Sequence, residues 1–98
     1  MVTFKFIEFG ENLGTRQLGA QVRERLIPLL QTSERITLDF TGVNVVSNSF
    51  ADECIANLLL TMPLAELKSR TTFCGLNPIA QQCVLTALQR RYAVCTHA

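Results

Sequence analysis

The chain has no tryptophan, one tyrosine and a single histidine, His97, at its far end. A serine or cysteine nucleophile would therefore have no imidazole close to it in sequence to act as a base. The common catalytic and phosphate-binding signatures are missing too: there is no G-x-G-x-x-G, no G-x-x-x-x-G-K-[ST] and no H-E-x-x-H. The four cysteines, Cys54, Cys74, Cys83 and Cys95, form no C-x-x-C pair. That spacing argues against a zinc site and for thiols used as small apolar side chains in a reducing compartment. Charge is nearly balanced, at nine basic and eight acidic side chains for a net +1, which removes the electrostatic case for nucleic acid as a partner. No apolar run has the length of a membrane span. Residues 2–9, interrupted by Lys5 and Glu8, read as a strand rather than a signal peptide. These absences lead us to expect a single cytoplasmic domain over residues 1–98. It should have no cofactor, no metal, no membrane contact and no enzymatic activity.

What is present is a core. Apolar residues make up 48% of the chain, which excludes a disordered polymer. The organising stretch is residues 36–62. An apolar strand at 36–40 runs through Thr41-Gly42 and Val43, Val45 and Val46 to the polar triplet Ser47-Asn48-Ser49, which opens a helix. In that helix Phe50, Cys54, Ile55, Leu58, Leu59 and Met62 recur at helical spacing. Ser49 and Asp52 have the spacing of a weak capping box, so Ser49 reads as a cap. Asp52 and Glu53 suit the positive end of the helix dipole.

Around this stretch, residues 2–9 predict a first strand, apolar enough to be covered on both faces. Residues 10–14 predict a turn, with Thr15 capping a helix over 16–30. Pro28 should kink or fray the last turn of that helix, and Gly19 should let it approach the sheet. Residues 71–76 predict a third strand. Asn77 and Pro78 predict a helix start, followed by the stripe Ile79, Ala80, Cys83, Val84, Ala87 and Leu88. Arg90 and Arg91 suit its negative end, and residues 92–95 could add a short fourth strand. The alternation implies an α/β fold with a mostly parallel sheet of three or four strands and about three main helices. The expected strand order is 2-1-3. That order creates a switch point where residues 10–16 and 75–78 would meet and could hold a small ligand or nucleotide. Gly14, Thr15 and Arg16 are the candidate anion contacts there. Leu60, Leu64 and Leu67 either complete the core or leave a patch for a homodimer.

The segment LDFTGVNVVSNSFADECIANLL resembles the switch segment of STAS domains, the fold of anti-sigma factor antagonists. Together with Gly14-Thr15-Arg16, it is similar to a STAS-like family of small prokaryotic proteins. In the antagonists an Asp-Ser-Ser-Gly run opens the equivalent helix, and its second serine is phosphorylated. The resemblance places that serine at Ser49, with Ser47 at the Asp position, Asn48 at the first Ser and Phe50 where glycine would be. It implies a regulatory protein-interaction module. Its partner would be a histidine-kinase-like ATPase or an anti-sigma-type regulator, docking on Ser47, Asn48, Ser49, Phe50, Asp52 and Glu53. Ser49 is the implied phosphorylation site.

Overall fold

The computed structural model describes the backbone of residues 2–97 and the side chains of residues 2–92. The side chains of Cys95 and His97 lie outside the described residues. In chain order the elements are β1 (Val2–Lys5), a 3-10 turn (Phe6–Phe9), β2 (Asn12–Leu13), α1 (Arg16–Thr32), β3 (Ile36–Asp39) and β4 (Val45–Val46). They continue with α2 (Asn48–Cys54), a 3-10 segment (Ala56–Leu60), α3 (Leu64–Arg70), β5 (Thr71–Cys74) and α4 (Pro78–His97).

The principal sheet has the order β1-β3-β5, all parallel, and β2 pairs with β4 in a second small parallel ladder. The α/β class and parallel pairing match the expectation, but the order 2-1-3 does not. The register explains why. Val2, Ile36 and Thr71 form one row and Phe4, Leu38 and Phe73 another, and these rows turn inward. The intervening rows are Thr3-Thr37-Thr72 and Lys5-Asp39-Cys74, with both edge strands exposed at these positions. Order 2-1-3 requires helices on both faces of the sheet, and these polar rows cannot be buried without loss. A sheet that advances in one direction, with right-handed crossovers, puts every helix on the same apolar face.

The first strand is shorter than predicted for a related reason. Continued as a strand, residues 4–9 would turn Phe4 and Phe6 to one face and Phe9 to the other. The 3-10 turn brings Phe9 back onto Phe4, with ring centroids 5.7 Å apart, and leaves Ile7 at the surface. Phe6 stacks on Phe40 at 3.9 Å, and Phe50 meets Phe6 edge-on at 6.4 Å. These three rings are fully buried at the centre of the core, in geometries that aromatic pairs favour beyond area burial alone.

The helix predicted over residues 50–62 breaks at Ile55. Cys54, Ile55, Ala56, Leu58 and Leu59 are all buried, and this spread is wider than one α-helical stripe. The break lets α2 pack on α1 while the following 3-10 segment packs on α4. Gly19 makes a close approach, but to α2 rather than to the sheet: a Cβ there would lie 3.0 Å from Glu53 Cβ and 3.1 Å from the Phe50 carbonyl oxygen. Helix α1 continues through Pro28 to Thr32, whose hydroxyl donates to the Pro28 carbonyl. Residues 92–95 are not a strand; they continue α4. Leu67 is buried in the core, Leu64 is half-buried and Leu60 is exposed.

Among the described residues, no helix is long and apolar enough to cross a membrane.

Candidate functional site

Helix α2 starts at a pinned point. Ser47, not Ser49, is its N-cap: the Ser47 hydroxyl accepts from the Phe50 amide at 3.0 Å and donates to the Gly14 carbonyl at 3.0 Å. The second bond ties the start of α2 to the residue before the α1 cap. That cap is Thr15, whose hydroxyl accepts from the Leu18 amide. Asn48 and Ser49 follow as the first two helical residues, and both are exposed. Phe50 does not belong to the surface. Its ring is wholly buried against Phe6, so the expectation that it touches a partner is corrected. It is the anchor that holds Ser49 outward.

One turn further on, three arginines converge on two carboxylates. Arg16 Nη1 donates to Asp52 Oδ2 at 2.8 Å and to Glu53 Oε1 at 3.2 Å. Arg23, two turns along α1 from Arg16, donates to Glu53 Oε2 at 2.5 Å and to the Glu53 carbonyl. Arg91, from α4, grips Asp52 through two donors, at 2.7 and 2.9 Å. The network therefore joins α1, α2 and α4. Bidentate guanidinium–carboxylate geometry of this kind is the strong form of a surface ion pair. Arg16, foreseen as an anion contact beside residues 10–14, has its Nη1 bonded to the two carboxylates on α2.

The carboxyls register these partners. Arg91 first, and then Arg16, hold the Asp52 carboxyl down at about 2 against an ordinary 3.8, although burial opposes the shift. Arg23 is the largest influence lowering Glu53, with Arg16 adding to it. Because the folded-state value for Asp52 lies below the unfolded one, its ion pairs stabilise the fold fully above about pH 4. That contribution is lost as pH falls through about 2. With solvent screening it is on the order of 1 kcal/mol. Asp52→Asn should lower stability by that amount at pH 7, and wild type and variant should converge as acid denaturation is followed from pH 4 to 2. A difference that stays constant across this range would show that the carboxylate charge is not what matters.

Beside Ser49 the surface opens into a cleft of about 260 Å³, lined by Arg16, Asn48, Ser49, Asp52, Thr86, Ala87 and Arg90. From sequence, Arg90 and Arg91 read as a solvated pair suited to the dipole of α4, a small basic patch being the alternative, and Arg23 and Thr86 had no role. Arg23 was open to detection, since it lies seven positions after Arg16 on one face of a helix. Arg91 carries no local signal, because its partner Asp52 lies 39 positions away in the chain.

The predicted crevice between residues 10–16 and 75–78 does not form. With β3 central, its outgoing loop lies between them: the Asn44 amide donates to the Glu11 carbonyl at 2.7 Å, and the Asn44 carbonyl accepts from Asn77 Nδ2 at 2.8 Å. The Gly14 carbonyl and the Thr15 hydroxyl are committed to Ser47 and Leu18. Of the three anion candidates, only Arg16 lines the cleft. Cys54 is buried, and desolvation pushes its thiol up to about 12. Cys74 and Cys83 are also free thiols.

Comparison with protein families matches residues 19–81, from Gly19 on α1 to Gln81 on α4, to a STAS-like domain of unknown function (DUF4325). No match was found among curated proteins or solved structures. The matched span holds β3, α2, both carboxylates and Arg23, and it covers more than half of the chain. The chain belongs to the STAS-like domain family DUF4325.

Proposed function

We propose that the chain is a non-enzymatic regulatory module of the cytoplasm that docks a protein partner on the surface at the start of α2, with Ser49 as its phosphorylation switch. The partner class is a histidine-kinase-like ATPase or an anti-sigma-type regulator. The observation that carries this reading is the setting of Ser49. It is exposed on a turn fixed by the Ser47 cap on one side and the buried Phe50 ring on the other. A rigidly presented polar turn on an α/β scaffold is a typical binding surface. Two exposed apolar side chains, Val45 and Ile79, flank the nearby Asn44–Asn77 hydrogen bond in sequence and supply contact area.

A phosphate on Ser49 would replace a neutral hydroxyl with close to two negative charges, so an interface formed over it loses affinity by the cost of burying them. The test is an affinity comparison of wild type, Ser49→Ala and Ser49→Asp against ATPase-type kinases encoded near this chain. Because Ser47 is the cap, Ser49→Ala should change stability by no more than ~0.5 kcal/mol and keep full binding. Ser49→Asp should bind about tenfold or more weakly, as expected when a charge must be desolvated. Equal binding by all three proteins would reject both the switch and this surface.

A further inference from the structure

The cluster around Asp52 and Glu53 is over-supplied with cations. Arg16, Arg23 and Arg91 pair with the two carboxylates, and Arg90, which lines the adjoining cleft, has no ion-pair partner among the described residues. Arg16 is redundant in this network. Each of its carboxylates has a second arginine, Arg91 for Asp52 and Arg23 for Glu53. Among the described residues only its Nη1 is engaged, and its side chain is 52% exposed. Its remaining donors can take a new acceptor without orphaning a carboxylate. Across the cleft Thr86 accepts from Gln82 Nε2 at 3.2 Å, which leaves the Thr86 hydroxyl proton to be donated. Asn48 adds an amide, and Ser49 opens onto the same space.

The geometry points to a clamp for a phosphate dianion in this cleft, held between Arg16 and Arg90. Cluster charge matches the occupant, because four guanidiniums against two carboxylates leave an excess of two positive charges, and a phosphate dianion carries about that much negative charge. Planar guanidinium donors suit phosphate oxygens. The volume of about 260 Å³ admits a phosphate with its remaining waters. Such a phosphate could be borne by Ser49 itself or arrive free in solution. The first source rests on the reading of Ser49 given above, and the second does not.

Two arms on the full chain distinguish the sources. In the first, thermal unfolding is followed in rising inorganic phosphate against chloride at matched ionic strength. Binding raises the midpoint with phosphate concentration. Arg16→Gln or Arg90→Gln should weaken the apparent affinity about ten- to hundredfold, and Arg35→Gln, remote from the cleft, should not. In the second, phosphoserine is incorporated at position 49 and its phosphorus resonance is titrated. Clamping should lower the midpoint from its usual ~6 by about one unit or more, and Arg90→Gln should restore most of the shift. Either arm succeeding supports the clamp and names its source. It is overturned if neither succeeds, or if both arginine variants leave a phosphate effect unchanged. Neither arginine is required by another group, so both variants should fold. No protein partner enters these assays, so the clamp can fail while partner docking holds, and the reverse.

Discussion

Gly75→Ala is expected to destabilise the protein by about 3 kcal/mol or more, because two independent costs coincide. Gly75 has φ +75, a conformation that side chains with a Cβ rarely adopt. The added Cβ would also overlap the backbone of Thr41, reaching its amide nitrogen and coming within 2.8 Å of its Cα. Thr41 cannot withdraw cheaply. Its amide donates to Asp39 Oδ1 at 2.9 Å, and the preceding Phe40 amide donates to the Cys74 carbonyl at 2.8 Å. Gly10→Ala is the comparison, since its φ of +120 with ψ 167 is a backbone conformation kept almost entirely to glycine but a Cβ there meets nothing within 4 Å. It should show only the backbone cost of about 1–3 kcal/mol. Urea denaturation of the two variants separates the terms, and equal losses would mean that the Thr41 overlap relaxes freely. Gly75 also leads into the Asn77 cap of α4, so its failure should reach Arg90 and Arg91.

Phe50→Ala should cost about 3–5 kcal/mol, the usual range for removing a buried aromatic ring. The ring is fully buried and edge-on to Phe6, which stacks on Phe40. Truncation therefore leaves a cavity beneath the first turn of α2. Phe50→Leu, which refills much of that space, should recover more than half of the loss. The pair also reads on binding. If Phe50 anchors the surface without forming part of it, Phe50→Leu should bind a partner with wild-type affinity. A loss of less than ~1 kcal/mol in Phe50→Ala would contradict the packing, and loss of binding by a stable Phe50→Leu would return Phe50 to the interface.

Much of the fold was legible in the chain. The caps at Thr15 and Asn77 fall where composition put them: the Leu18 and Ala80 amides donate to their side chains. Strand type was right at residues 2–5, 36–39 and 71–74 and helix type at 16–30, 48–54 and 78–91, whereas the apolar runs at 6–9 and 56–60 are 3-10 segments. Failures came where local pattern is silent. Ser47 and Ser49 are the same residue type two positions apart, and it is Ser47 that caps, accepting from the Phe50 amide while its hydroxyl donates to the distant Gly14 carbonyl. No glycine or proline separates Arg91 from residues 92–97, so nothing stops α4 where a strand was expected. Strand order turned on whether Thr3, Lys5, Thr37 and Thr72 could be buried, a property of the assembled rows and not of any one strand. At the candidate site, Arg16 was singled out and Arg23 was open to detection seven positions on, whereas Arg91 meets Asp52 across 39 positions and leaves no local spacing to detect.

The pairing of β3 between β1 and β5 has a consequence for how the chain reaches this structure. Among the described residues every strand pair is parallel and none is a hairpin, so Val2 must find Ile36, and Ile36 must find Thr71. Each partner lies more than thirty positions away, with α1 intervening in one case and α2 and α3 in the other. Chain-closure entropy is therefore spent before any strand contact rewards it. Helix α1 can form early and locally, but the sheet has no local seed. The central strand must be captured from both sides for the core rings to close. Refolding is expected to be slow for a chain of this length, with variants at Ile36 and Leu38 slowing it and variants on the exposed turns of α4 acting chiefly on the unfolding rate.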